Sequence, residues 1–386
     1  MIPSVLPTYN RAPLSFVKGE GAWMIEADGR RFLDLGAGIA VNVLGHANPI
    51  LVEALTTQAN KLWHVSNLYN ISEQQALADK LVDNSFADTV FFTNSGTEAC
   101  ELAVKMARKY WFEKGHPEKV EIIGFDGAFH GRSSAGIAAA GGEKLTKGFG
   151  PLLPGFTHLT WGDVAGVNDA ISKKTAAVII EPVQGEGGIR PIADDDLREL
   201  AHICKENNVL LILDEVQCGV GRTGKLFAHE WAGIAPDIMM VAKGIGGGFP
   251  LGAVLANEEA ASGMTAGTHA LACAVGGAVM DTVATPDFLS DVNRKAGLFR
   301  QKLEGLVASY PSVFEEVRGA GLMLGLKCTA LNMDVVNAAY DAELVTVPAA
   351  DNVVRILPPL NITDDEISEA VHRLDKAAAQ VAANKD

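Results

Sequence analysis

The chain has 386 residues, of which 48% are hydrophobic and 20% are charged, and its formal net charge is −15 at pH 7. This length exceeds one ordinary hydrophobic core and predicts a large domain with a smaller one. The negative charge argues against binding to nucleic acid or to anionic membrane surfaces, and no apolar run approaches the length of a membrane-spanning helix.

The amino terminus and the cysteines indicate the compartment. Residues 1–7 contain neither the basic nor the apolar segment of a secretory signal. The cysteines are odd in number, scattered and never in a C-x-x-C pair, which favours structural thiols in a reducing cytoplasm and no metal site. They are Cys100, Cys204, Cys218, Cys273 and Cys328.

Strand and helix patterns alternate along the chain, as they do in an α/β fold. Residues 23–34 predict a hairpin with an Asp28-Gly29 turn, which we expect to join the smaller domain. Residues 87–93 predict a strand, and residues 97–111 predict a helix with one buried face. That face contains Ala99, Leu102, Ala103, Met106 and Tyr110.

The turn between this strand and this helix, residues 94–99, is a candidate phosphate site. Free N–H groups at a helix start, together with the helix dipole, favour a phosphate. Gly96 lets the backbone approach closely, while Ser95 and Thr97 add hydroxyl groups. A capping box formed by Ser95 and Glu98 explains the same residues, and the sequence leaves both interpretations open.

Two later apolar runs, residues 121–125 and 176–181, show no alternation and predict strands covered on both faces of a mainly parallel sheet. Residues 126–132 follow the first of them. Phe129 is suited to stack on a ligand ring, and Arg132 is suited to bind a carboxylate through two parallel hydrogen bonds. Neither residue is diagnostic alone, since most phenylalanines lie in cores and most arginines lie on surfaces.

The strongest signal joins an acid and a lysine. A predicted helix (residues 195–207) precedes an apolar strand that ends in Asp214, and a second apolar run leads to Lys243 in a glycine-rich turn. Burial lowers the pKa of a lysine, as a Schiff base with an aldehyde requires. An acid at the strand end can keep a pyridine nitrogen protonated, so the pair predicts pyridoxal 5′-phosphate (PLP).

From residue 286 the pattern changes to a smaller α+β domain. Residues 288–306 and 364–382 predict helices, and residues 321–326 and 353–357 predict strands between them.

These segments together resemble the class III, fold-type I PLP-dependent aminotransferases nearly from end to end. The motifs that carry the resemblance lie at residues 94–99, 129–132, 181–188, 214–217, 242–244 and 354–360. The resemblance implies an α/β fold with a mainly parallel sheet of the seven-stranded type in a large domain, residues 46–275. It also implies a small α+β domain, residues 276–386, which residues 1–45 join.

The same resemblance implies roles for individual residues at the cofactor. Lys243 would be the Schiff-base lysine and the proton carrier, and Asp214 would pair with the pyridine nitrogen. Gln217 would contact the phenolic oxygen of the cofactor, and Val216 would also bind it. Phe129 would stack on its ring, with its phosphate held by Ser95, Gly96 and Thr97.

The substrates and partner are implied in the same way. Arg132 and Arg355 would hold substrate carboxylates, and Glu186 would pair with one arginine when a substrate leaves it free. Within the family, the chain most resembles the enzymes that transfer an amino group from N-acetylornithine to 2-oxoglutarate, which implies N-succinyl-diaminopimelate as a further possible substrate. The family also forms homodimers that share their active sites.

One segment departs from the family pattern. The chain passes from Gly267-Thr268-His269 directly to Ala270-Leu271, without most of the stretch Gly-Ser-Thr-Tyr-Gly-Gly-Asn-Pro. In the family this stretch supplies a threonine to the phosphate of the partner subunit. This gap motivates one alternative, a PLP-binding relative with impaired catalysis. A second alternative, independent of the gap, is a related ω-aminotransferase acting on ornithine, succinylornithine or 4-aminobutyrate.

Overall fold

The structure is a computed structural model that describes residues 4–66, 68–263 and 270–384. Its strands are β1 (Phe16–Glu20), β2 (Trp23–Glu26), β3 (Arg31–Asp34), β4 (Thr89–Thr93), β5 (Glu121–Phe125), β6 (Phe156–Leu159), β7 (Thr175–Ile180), β8 (Val183–Gln184), β9 (Arg190–Pro191), β10 (Leu210–Asp214), β11 (Ile238–Val241), β12 (Gly252–Ala256), β13 (Phe314–Ala320), β14 (Met323–Cys328), β15 (Leu344–Val345), β16 (Val347–Ala349) and β17 (Val353–Ile356).

The α-helices are α1 (Ala37–Ala40), α2 (Pro49–Ala59), α3 (Ser72–Asp83), α4 (Gly96–Glu113), α5 (Ser134–Ala140), α6 (Glu143–Thr146), α7 (Val164–Ala170), α8 (Asp194–Glu206), α9 (Glu258–Ala261), α10 (Ala270–Val283), α11 (Pro286–Ser309), α12 (Asn332–Asp341) and α13 (Asp364–Ala383). Two short 3₁₀ helices span Ala228–Trp231 and Lys243–Gly246. No helix in the described ranges is both long and apolar enough to cross a membrane.

Seven strands form the central sheet in the order β4-β12-β11-β10-β7-β5-β6. Neighbouring strands are parallel except where β12 pairs with β11 and with β4. Strands β7, β10, β11 and β12 are buried along their whole length, because helices cover both faces of the sheet. The predicted α/β fold with a mainly parallel seven-stranded sheet is confirmed.

This topology places five loops together. Strands β4, β5, β7, β10 and β11 all point the same way, so the segments that follow them lie at one edge of the sheet. Ligands of open α/β sheets bind at this carboxyl edge. The candidate residues after these five strands are therefore brought near each other by the strand order.

Helix α4 covers the sheet beside β11 and β12. The helix face that the sequence predicts is buried, and burial of each large apolar side chain contributes roughly 1.5–3 kcal/mol to the stability of the fold. The residues of this face are Ala99, Leu102, Ala103, Met106 and Tyr110. This packing fixes the position of the start of α4 at the carboxyl edge.

The carboxy-terminal part contains a second, antiparallel sheet in the order β13-β14-β17-β16, with α11 packed against β13. The predicted hairpin is β2–β3, with Gly29 in its turn at φ +91°. Strand β3 pairs in parallel with β15, so the amino-terminal hairpin joins the carboxy-terminal part as expected. The residue boundaries of the two domains stay a prediction.

Helix α1 is a single left-handed turn, since φ of Ala37–Ala40 lies between +43° and +65°. Left-handed backbone costs roughly 1–2 kcal/mol for each non-glycine residue. The Asp34 carboxylate stabilises the turn by accepting hydrogen bonds from the N–H groups of Gly36 and Ala37, at 2.8 and 2.9 Å. Its other oxygen lies 2.8 Å from His46 Nε2.

Candidate active site

A cavity of about 610 Å³ opens at the carboxyl edge of the central sheet. Every site residue predicted from the sequence lines it, although the residues come from both ends of the chain. They are Ser95, Gly96, Thr97, Phe129, Arg132, Glu186, Asp214, Val216, Gln217, Lys243 and Arg355.

Lys243 enters the cavity two residues after the end of β11. It begins a 3₁₀ helix with φ +49°, a conformation that is uncommon for a residue with a side chain and that often marks a functional site. Enclosure of the amine and the nearby charge of Arg355 lower the pKa of Lys243 to about 8, although nearby carboxylates oppose this shift. The neutral amine is therefore far more populated near pH 7 than that of an ordinary lysine.

Asp214 ends β10 and is 4% exposed. Its Oδ1 accepts a hydrogen bond from the N–H of Val216 at 3.0 Å, and its Oδ2 lies 2.7 Å from His130 Nδ1. A carboxylate accepts only, so Nδ1–H of His130 donates. Burial lowers the pKa of His130, but the hydrogen bond and the charge of Asp214 outweigh it and leave the pKa above its ordinary value.

Sequence reasoning gave no role to two buried groups of this site, His130 and Glu181. Glu181 follows β7 and accepts the N–H of Phe129 at 3.1 Å, which fixes the backbone that carries this ring. Burial raises the pKa of Glu181. The sequence contains a pattern that could have identified Glu181, since it follows an apolar strand in the way that Asp214 ends one. No local pattern reveals the burial of His130.

The start of α4 resolves the two interpretations of residues 94–99. Ser95 Oγ accepts a hydrogen bond from the N–H of Glu98 at 3.2 Å, as a cap does. The Glu98 carboxylate turns to the N–H of Asn94 at 2.6 Å instead of returning to Ser95, so only half of the capping box forms. Because the first N–H groups of a helix have no partner within it, those of Gly96 and Thr97 stay available to an anion.

Two further features shape the floor of the cavity. A Cβ at Gly96 would lie 2.8 Å from Val216 Cγ1, so only glycine lets the helix start come this close. Gln217 Oε1 is buried without a hydrogen-bond partner in the described part of the chain. Val216 and Gln217 lie in one turn after β10. Glu215 holds this turn in place, because its carboxylate accepts hydrogen bonds from the N–H groups of Ala228 and His229 at 2.5 and 2.9 Å.

The two arginines differ in exposure. Arg132 is exposed, with its guanidinium 5.2 Å from the ring centroid of Phe129. Arg355 is 2% exposed; its Nη2 donates to the carbonyl of Pro348 at 2.9 Å and lies 3.1 Å from Glu186 Oε2. Its Nε and Nη1 are buried and find no partner among the described residues, so Arg355 retains donors for a carboxylate.

Comparison with known proteins identifies the family of the chain. The family described as aminotransferase class-III matches residues 6–378. An acetylornithine aminotransferase of Rhodobacter capsulatus is 66% identical, over 99% of each chain. The crystal structure of an N-acetylornithine aminotransferase from Stenotrophomonas maltophilia is similar with a TM-score of 0.87 and 38% identity, covering 97% of this chain and 98% of the other. The ornithine aminotransferase structure from Toxoplasma gondii has a TM-score of 0.94 and 28% identity, covering 99% and 94%.

One cavity contains an aspartate at the end of a strand, an enclosed lysine and a helix start with available N–H groups. This combination defines a site for an aldehyde cofactor with a phosphate group. The family match extends over most of the sequence, and the chain belongs to the class-III aminotransferases. The cofactor of this class is PLP, and the residues present fit it. The start of α4 would hold the phosphate, Asp214 the ring nitrogen, Gln217 the phenolic oxygen and Lys243 the aldehyde carbon.

The departure from the family pattern after His269 cannot be located in the cavity. Gly267, Thr268 and His269 lie outside the described residues. The prediction that this segment affects the phosphate site of a partner subunit stays a prediction.

Proposed function

We propose that this protein transfers an amino group from N-acetylornithine to 2-oxoglutarate, giving N-acetylglutamate semialdehyde and glutamate in arginine biosynthesis. The observation that carries the proposal is the buried Arg355 paired with Glu186 at 3.1 Å in the cavity of Lys243. An unpaired buried charge is costly, so an arginine that serves a dicarboxylate and a monocarboxylate in turn needs a replaceable partner. Glu186 is suited to be that partner.

The lining of the cavity supports an acylated amino donor over free ornithine. Its three carboxylates, those of Glu181, Glu186 and Asp214, are already bonded to the N–H of Phe129, to Arg355 and to His130. A second ammonium group would therefore have to share one of these carboxylates with the partner it already has. An uncharged acyl group, in contrast, finds apolar walls at Ile39, Val41, Phe249, Pro250 and Leu251.

The chemistry follows from what each group can do. PLP, when bound, supplies an aldehyde for the amino group of the substrate and a ring that accepts the electron pair left at the amine-bearing carbon. Lys243 Nζ takes the proton from that carbon and then gives it to the other reacting carbon. A pKa of about 8 suits an amine that must both accept and donate a proton. Asp214, whose carboxylate is fixed by His130, would keep a proton on the ring nitrogen of bound PLP. Arg132 and Arg355 bind the carboxylates and so orient the reacting carbon.

We further propose that the protein acts as a cytoplasmic homodimer with shared active sites. Tyr9 and Ile39 line the cavity yet are 70% and 41% exposed, as expected of a rim that a second copy covers. All five cysteines are buried, and none of them forms a disulfide within the described residues, which supports a reducing compartment. The mass of the purified protein in solution tests the dimer, and a monomer at micromolar concentration would contradict it.

A panel of amino donors with 2-oxoglutarate tests the proposed substrate. It should contain N-acetylornithine, ornithine, succinylornithine, 4-aminobutyrate and N-succinyl-diaminopimelate. We expect N-acetylornithine to give a kcat/KM above those of ornithine and 4-aminobutyrate. Preference for ornithine or 4-aminobutyrate would replace the proposal with the related ω-aminotransferase. A protein that binds PLP but turns over no donor would be the impaired relative.

The two arginines should affect different half-reactions. Arg355→Ala should raise KM for glutamate and 2-oxoglutarate strongly, because a charge-assisted contact worth about 2–5 kcal/mol in a desolvated site is lost. Arg132→Ala should impair the N-acetylornithine half-reaction at least as much, since we place the α-carboxylate of that substrate there. Single-turnover measurement of each half-reaction separates the two effects.

Glu186→Ala serves as the contrasting variant for this prediction. It leaves Arg355 unpaired when N-acetylornithine binds, so it should shift the preference between the half-reactions without stopping either. Equal effects of all three substitutions on both half-reactions would mean that no switch exists.

A further inference from the structure

The Glu186 carboxylate lies between two cations, one of them buried and the other exposed to solvent. Its Oε2 is 3.1 Å from Nη2 of Arg355, whose side chain is 3% exposed. Its Oε1 is 4.0 Å from Nζ of Lys144, whose side chain is 86% exposed. Glu186 itself is 39% exposed, so its carboxylate has room to move outward.

The backbone of Glu186 is held in place. Its carbonyl accepts a hydrogen bond from the N–H of Ala350 at 2.9 Å, in the turn between β16 and β17. Gly188 packs so closely on the same turn that a Cβ there would lie 2.9 Å from the carbonyl oxygen of Ala350. Strand β17 also carries Arg355. The loop and the arginine thus belong to one unit, and the carboxylate separates from Arg355 by side-chain rotation.

A carboxylate that rotates away from a buried guanidinium loses a partner. Lys144, on the short helix α6, is the one cation besides Arg355 that lies within 4.0 Å of this carboxylate among the described residues. The next lysine of the same helix end, Lys147, pairs with Glu143 at 3.3 Å instead. We propose that Lys144 receives the carboxylate of Glu186 when a substrate carboxylate takes Arg355, and thereby favours binding of glutamate and 2-oxoglutarate.

This inference rests on the proposed function and deepens it by naming a positioning residue outside the binding site. At 4.0 Å Lys144 is only at the limit of an ion pair while Glu186 holds Arg355, and we expect this contact to tighten when Glu186 is displaced. Loss of Lys144 should therefore change KM in the half-reaction that displaces Glu186. It should not change KM in the half-reaction that leaves the Glu186–Arg355 pair intact. A general structural role of Lys144 would instead change both half-reactions.

The test compares Lys144→Gln with Lys147→Gln, a matched loss of one positive charge from the same segment. We expect Lys144→Gln to raise KM for 2-oxoglutarate and glutamate about two- to fivefold, the range of an exposed ion pair. The KM for N-acetylornithine and kcat should stay as in the unmodified enzyme. Lys144→Arg should restore the lower KM, and 1 M salt should remove the difference because it screens exposed charges.

The decisive control repeats Lys144→Gln in the Glu186→Ala background. There the substitution should have no effect, because its target is gone. A rise in KM for 2-oxoglutarate in that background would mean that Lys144 contacts the substrate itself, which overturns the inference. So would equal behaviour of the Lys144 and Lys147 variants in an enzyme that does convert N-acetylornithine. Failure of the unmodified enzyme to use N-acetylornithine would instead remove the proposed function.

Discussion

Replacement of Lys243 by alanine should reduce kcat for both half-reactions by at least about 10⁴-fold, since one amine provides both the nucleophile and the proton carrier. The folded state should tolerate the change. Alanine keeps the Cβ, so the backbone strain at φ +49° is unchanged, and removal of an amine from an enclosed place relieves a desolvation penalty. Single-turnover rates and the melting temperature together measure both expectations.

Two controls make the Lys243 result specific. Lys109→Ala removes a half-exposed lysine that pairs with Glu113 on α4, and it should leave kcat unchanged. Added methylamine should restore part of the proton transfer in Lys243→Ala, because a small amine can occupy the vacated space. A Lys243→Ala enzyme with near-normal kcat would show that another group carries the proton and that the lysine has been misassigned.

Much of the site could be predicted because its signals are local. One apolar strand ends in Asp214 and a second leads to Lys243. Both can be recognised from the local sequence, without knowledge of the segments that pack against them. Parallel strands then place both carboxyl ends at one edge. The same holds for α4, whose buried face follows from the helical period.

The parts that could not be predicted depend on contacts between distant segments. His130 and Asp214 are 84 residues apart, and their hydrogen bond exists only because β5 and β10 end at the same edge. The left-handed turn Ala37–Ala40 contains only one glycine, so its sequence gives no hint of positive φ. The contacts that hold its start are the hydrogen bonds from the N–H groups of Gly36 and Ala37 to the carboxylate of Asp34.

Replacement of Asp214 by asparagine should reduce kcat by at least about 10²-fold while the protein stays folded, since the side chains have nearly the same shape. A neutral amide no longer favours a proton on the ring nitrogen of the cofactor, which removes the electron sink. It also removes the charge that raises the pKa of His130, so this pKa should fall. Half-reaction kinetics measure the first effect, and an NMR titration of His130 in the cofactor-free protein measures the second.

Asp237→Asn is the matched control for Asp214. Asp237 is a largely buried carboxyl at the opposite end of the same strands, where it accepts the N–H of Leu211 at 2.8 Å and the amide of Asn257 at 3.0 Å. Its replacement exchanges the same atoms far from the cavity, so kcat of the folded enzyme should not change even if stability does. Wild-type kcat in Asp214→Asn would mean that the ring nitrogen does not depend on this acid. A loss of activity without a fall in the pKa of His130 would mean that the charge of Asp214 does not set this pKa, so that the Asp214–His130 pair does not form as described.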